Sequence, residues 1–289
     1  MSDEPDEILP AAPEQSLTEE EIQQALVAFT ESRRSRNERF VLAALSSIPW
    51  VGGVLSAAAA MDAEREQGRV NVLHLQWLQE HRRLLGELAQ DLNHVIDRVE
   101  ELGPSAEERL DSDAYLAVVR KGFRVWDGAD TREKRDYVRR LIANAAGTKL
   151  CSDDVVRLFI EWISYYHEVH FAVIRTIYRA LGATRFAIWM EMYGERVRED
   201  SAEADLFRLV IHDLSTGRVI RQHRDRTAGG EFMRKPRKHV PKGYASPVMK
   251  SSFDNEEPYE LSELGNQFVH YVMTDIVPRV GAGTPPTEA

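Results

Sequence analysis

Residues 41–61, VLAALSSIPWVGGVLSAAAAM, carry no ionisable side chain in a protein whose residues are 29% charged. As one helix the run would be long enough to cross a bilayer core, which takes about 20 apolar residues. Pro49, Gly52 and Gly53 sit at its centre, where an unbroken span least tolerates them. The sequence therefore predicts an apolar hairpin: two short helices, 41–48 and 54–61, joined by Pro-Trp-Val-Gly-Gly. Proline disfavours helix in the residue before it, and glycine admits positive φ. The candidate membrane or core residues of this hairpin are Val41, Leu42, Leu45, Ile48, Pro49, Trp50, Gly52, Gly53, Val54 and Leu55. A single-pass anchor fits poorly, because the arginines before the run predict an N-inside orientation and would export everything after it. A hairpin keeps both flanks on one side. Two readings stay open: an ordinary buried αα-hairpin, or one held in a soluble bundle and released at a membrane.

The flanks read as helix. From Ser16, Thr18 and Glu21 have capping-box spacing, and Ile22, Leu26 and Phe29 follow at helical intervals. Residues 70–102 form the longest periodic stretch. Leu78, Leu85, Leu92 and Val99 recur every seven residues, with His81, Leu88, Val95 and Leu102 in the companion seam. Such a helix packs within a bundle or pairs with a second copy, so it is also the candidate homo-oligomer element. Gly103-Pro104 ends it.

Two helices are expected between Asp111 and Gly147, at 113–126 and 132–146. The second carries Arg132, Lys134, Arg135, Arg139 and Arg140 on one side; this reads first as a solvated face and second as the counterpart of an acidic surface. Ser152-Asp153-Asp154 caps a helix over 155–166. Helices at 170–181, 186–197 and 202–214 follow, then a strand at 218–222, a polar excursion, a strand at 259–261 and a closing helix through 277. That order, with the joints HDLSTGRVIRQ and YELSELGNQFV, resembles MarR-like winged helices. The wing, 223–258, is basic through Arg224, Arg226, Arg234, Lys235, Arg237, Lys238 and Lys242, a candidate patch for nucleic acid or an acidic partner. The third helix argues the other way. Glu203, Asp205 and Asp213 accompany a single arginine, Arg208, where a major-groove reader presents Arg, Lys, Asn or Gln. Protein docking is therefore favoured over DNA.

The 289 residues divide into an acidic tail (1–15), a helical bundle with its hairpin (16–103), a helical middle (104–166), a winged-helix-like region (167–278) and a second tail (279–289). The fold class is mainly α, with a small β-hairpin near the C-terminus. A net charge of -10 disfavours nucleic acid as a partner of the whole surface. Cys151 is the only cysteine, so no intramolecular disulfide forms, and the absence of a signal-peptide pattern favours the cytoplasm, with peripheral contact at the inner membrane left open. No catalytic or metal-binding residue, cofactor or enzyme activity is expected. His167, Glu168 and His170 lack the i, i+4 histidine spacing of a zinc-protease helix. No phosphate-binding glycine loop follows a strand, and Cys151 has no base beside it.

With the segments placed, the layout resembles bacterial abortive-infection proteins of the Abi-alpha type. The residues that carry the resemblance are IPWVGGVLS, DTREKRDYVRRLIANAAG, CSDDVVRLFIEWIS, FAVIRTIYRAL and YELSELGNQFVHYV, spanning roughly residues 38–275. It implies a cytoplasmic phage-defence protein that halts growth of infected cells and has no catalytic residues to transfer. The rival expectation is a dimeric winged-helix regulator that binds DNA.

Overall fold

The computed structural model describes residues 34–53, 72–147, 151–233 and 251–273. They form a mainly α protein with a two-stranded antiparallel sheet near the C-terminus.

Helix α1 (Arg34–Leu45) ends in a turn closed by Ser47, whose hydroxyl donates to the Ala44 carbonyl at 2.6 Å. Helix then resumes over 49–53. The break thus falls at 46–48, and the expected joint, Pro-Trp-Val-Gly-Gly, is itself helical. Pro49 opens a helix comfortably, since its missing N–H is one that a first turn leaves unpaired. The second arm, 54–61, lies outside the described residues, as does the expected helix from Ser16. The first arm is core: Phe40, Ala43, Ala44, Ile48 and Val51 are buried.

Helix α2 (Val72–Leu102) buries Leu88, Leu92, Val95, Ile96 and Val99, so this part of its seam is occupied within the chain. Gly103, at φ 89°, then turns the backbone, so the helix ends at the expected Gly103-Pro104, and Pro104 starts α3 (Pro104–Leu110). Helices α4 (Asp113–Asp127) and α5 (Arg132–Gly147) follow, the first capped by Ser112. Phe40 of α1 packs edge-on to Phe123 of α4, with centroids 6.3 Å apart. The hub is α5, which contacts α2, α3, α4 and the next helix, α6 (Asp153–Tyr165). Gly122 lets α4 and α5 close up: a Cβ there would lie 2.7 Å from Ile142 Cδ1.

The basic side of α5 meets an acidic side of α2 and is not a solvated face. Arg135 Nη1 reaches Glu87 Oε2 at 2.7 Å, and Arg132 Nη2 and Arg139 Nε lie 3.4 and 3.3 Å from Asp91 Oδ1. Asp91 is fully buried and accepts the Trp126 indole N–H at 2.7 Å. Burial pushes its carboxyl above the usual range, outweighing the hydrogen bond and the arginines. Burial also works on Glu87, but there Arg135, Arg83 and Arg132 prevail and hold the carboxyl low.

Three helices follow: α7 (Glu168–Arg179), α8 (Arg185–Tyr193) and α9 (Ala202–Thr216). Helix α8 stops short of the expected 197 because Gly194, at φ 74°, caps it in the left-handed conformation. Strand β1 (Ile220–Gln222) pairs antiparallel with β2 (Tyr259–Leu261), in register Ile220–Leu261, Arg221–Glu260, Gln222–Tyr259. Thr184, between α7 and α8, bridges Pro258, and the Tyr259 N–H donates to the Ala183 carbonyl at 2.9 Å. Ser262 caps α10 (Glu263–Phe268), which continues as a π-helical turn, Val269–Met273, against α5. There the Tyr271 carbonyl accepts from Asn144 Nδ2 at 2.9 Å.

Candidate functional site

The outer face of α9 is where the chain presents unusual chemistry. Ser201 caps the helix by accepting the Ala204 N–H, and Glu203 and Asp205 in the first turn complement the helix dipole. Ala204, Phe207, Val210, Ile211 and Leu214 form its buried side. Trp189 of α8 packs edge-on to Phe207 at 5.3 Å, and Phe253 stacks on Phe207 at 6.1 Å. Those contacts fix the rotation of α9 and turn Leu206 and Leu209 outward, 48% and 53% exposed. Arg208, the one basic residue of the helix, is held by Asp205 and Glu199, each at 3.1 Å. Glu199 in turn accepts the Ser252 N–H at 2.8 Å and the Ser251 hydroxyl. Partial burial pushes the Glu199 carboxyl up, but those bonds and Arg208 prevail and hold it below the usual range.

The acidic character of α9 is legible from its sequence, but the outward leucines are not. A signal was present: Leu206, Phe207, Leu209, Val210 and Ile211 are five apolar residues in six positions, more than one buried arc of a helix can hold.

The wing begins with a small turn. Met233 N–H donates to the Asp225 carbonyl at 2.8 Å, Thr227 N–H to that of Glu231 at 2.9 Å, and Arg226 bridges Phe232. Of the expected basic patch, Arg224 is exposed. Arg226 is instead tied to Glu260 at 3.1 Å and lies over the Phe232 ring. Glu260 also binds Arg221 Nε at 2.6 Å and His223 Nδ1 at 2.7 Å; partial burial pushes its carboxyl up, but these hydrogen bonds and the arginines prevail and hold it below the usual range. Arg234, Lys235, Arg237, Lys238 and Lys242 lie outside the described residues. Of the seven patch residues, then, only Arg224 and Arg226 are among the described ones, and Arg226 is turned to Glu260.

In the hairpin, Ile48 is buried, while Val41, Leu45 and Trp50 are half-buried. Leu42, Pro49, Gly52 and Gly53 are exposed, and Val54 and Leu55 lie outside the described residues. Trp50 is pinned through its indole N–H, which donates to Asp127 Oδ1 at 2.5 Å, and its ring lies 5.3 Å from that of His81. No described helix is long and apolar enough to cross a membrane.

The histidine pair does structural work. His170 Nδ1 accepts the His167 N–H at 3.2 Å, and its ring stacks on Tyr166 at 5.0 Å. Its Nε2 lies 3.5 Å from Asp213 Oδ2, which links α7 to α9. Burial holds His170 below its usual pKa and pushes Tyr166 up to about 12. Cys151 is buried, which raises its thiol, and its Sγ lies 3.3 Å from Gln267 Oε1. A polar cleft of about 270 Å³ between α2 and α5 is lined by His94, Asp97, Arg98, Arg139 and others. Its arginines are engaged, Arg98 with Glu101 and Arg139 with Asp91 and Asp136. Among the described residues, no group of three or more His, Cys, Asp or Glu side chains is placed to hold a metal ion.

Comparison with known proteins adds no family: no family model, curated protein or solved structure matches this chain.

Proposed function

We propose that the chain is a non-enzymatic docking protein whose C-terminal part is a winged helix that engages a protein partner, not duplex DNA. The winged-helix reading is supported by the connection of three helices, strand, wing, strand and helix. It is also supported by the short segment between α7 and α8 that pairs with the second strand at Thr184 and Pro258. In that scheme α9 takes the position of the recognition helix. The single observation that carries the choice of partner is its outer face: Glu203 and Asp205 beside Leu206 and Leu209, with Arg208 already paired. Phosphates are repelled by such a face, whereas an apolar ridge rimmed by charge is what a protein interface uses.

The wider role, a cytoplasmic abortive-infection effector that arrests growth, rests on the layout resemblance. Membrane action by its hairpin would require withdrawing Phe40, Ala44, Ile48 and Val51 from the core. A photo-crosslinking residue at position 209 tests the docking reading in cells, and anisotropy with a labelled duplex at about 50 mM salt tests the rival. Adducts at 209 without duplex binding are expected. Salt-sensitive duplex binding that disappears when Arg234, Lys235, Arg237 and Lys238 are neutralised, with no adduct, would replace the docking protein by a DNA-binding regulator.

A further inference from the structure

Resting on that docking reading, we infer that the outer face of α9 receives a cationic amphipathic helix of a partner protein. Leu206 and Leu209 are three residues apart, so they form one ridge on the helix surface, and each leaves about half its area in water. Residues 198–213 hold Glu199, Asp200, Glu203, Asp205 and Asp213 against two arginines, Arg198, which pairs with Asp200 at 2.7 Å, and Arg208. Arg208 is consumed by Glu199 and Asp205. Hydrogen bonds from its own backbone N–H and from Ser201 hold the Glu203 carboxyl below the usual range.

The chemistry selects the occupant. A second copy docked through the same face would set carboxylates against carboxylates, because a two-fold contact is self-complementary. Anionic lipid headgroups and nucleic-acid phosphates meet the same repulsion. A helix with apolar residues at i, i+3 and i+4 and lysine or arginine on its flanks satisfies both features, seating its ridge on Leu206 and Leu209 and its cations against Glu203 and Asp205.

The test uses the full chain and a labelled amphipathic Leu/Lys peptide of about 18 residues, long enough to fold on a surface, against a scrambled peptide of the same composition. The amphipathic peptide is expected to bind about tenfold tighter than the scramble. It should lose about tenfold on the double change Leu206→Ala and Leu209→Ala, whose far-UV circular dichroism stays that of wild type. Glu203→Gln with Asp205→Asn should weaken binding and flatten its salt dependence. Equal binding of both peptides, or an unaffected leucine variant, overturns the inference. So does a peptide of this chain's own residues 234–250 outcompeting the Leu/Lys peptide, or a dimer in sedimentation that the leucine changes dissolve. Crosslinks at position 209 without peptide binding overturn the cationic helix alone; absence of both overturns the docking reading as well.

Discussion

Removing the Asp91 carboxylate tests whether the α2–α5 interface is held as described. Asp91 is fully buried, accepts the Trp126 indole N–H at 2.7 Å, and faces Arg132 and Arg139 at 3.4 and 3.3 Å. Asp91→Ala leaves the indole N–H of a fully buried tryptophan without its acceptor, which costs about 1–3 kcal/mol. The two arginines lose less, because each keeps another carboxylate, Arg132 on Glu87 at 3.3 Å and Arg139 on Asp136 at 3.6 Å. Their side chains are also 44% and 21% exposed, so the full buried-pair penalty does not apply, and each adds about 0.5 kcal/mol. The sum is about 2–4 kcal/mol. Asp91→Asn keeps an acceptor for the indole but turns an amide donor toward two guanidiniums, and is expected to cost about half as much.

Urea unfolding followed by far-UV circular dichroism reads both as a lower midpoint at unchanged slope. The pH dependence has a definite direction. Because burial raises the folded-state pKa of Asp91, its stabilising contribution is full below the unfolded value of 3.8 and declines as pH rises through the folded value. The advantage of wild type over Asp91→Asn should therefore be larger near pH 4 than at pH 7. An Asp91→Ala protein within about 0.5 kcal/mol of wild type would refute the idea that this carboxylate organises the interface.

Two further outcomes follow from the same packing. Ile48→Asp places a carboxylate where the side chain is 2% exposed, so it should cost more than about 3 kcal/mol and remove the protein from the soluble fraction; a stable, soluble variant would mean that the first arm of the hairpin is not core. His170 is held neutral by burial, so its contribution is present above the unfolded pKa of 6.5 and is lost as pH falls from there toward the lower folded value. Stability should decline over that window with a slope of at most about 1.4 kcal/mol per pH unit, and His170→Gln should flatten it; an equal slope in both proteins would assign the titration elsewhere.

Much of the secondary structure is legible locally. Ser152 and Ser262 announce helix starts because a cap acts on an N–H three residues away, and β2 coincides with the expected strand. Errors arise where one local signal has two uses. Proline both disrupts helices and suits their first position, so Pro49 reads as part of a joint although it opens a helical turn, whereas Gly103-Pro104 does end α2 as expected. The apolar run is similar: its length and composition suit either a membrane or a core, and only its packing against Phe123 and its neighbours assigns the described arm to the core.

The candidate site divides along the same line. By itself the sequence determined that the chain is mainly helical, that α9 is acidic and that a basic segment follows it, because charge and periodicity are properties of neighbouring residues. Only the tertiary structure decided that the basic side of α5 is matched by Glu87 and Asp91, some 40–50 positions earlier in the chain. It alone decided that Arg226 belongs to Glu260, and that Leu206 and Leu209 face outward. The physical reason is shared by all three. Which arc of a helix is buried, and which charges find partners, depends on elements distant in sequence that compete for the same surface.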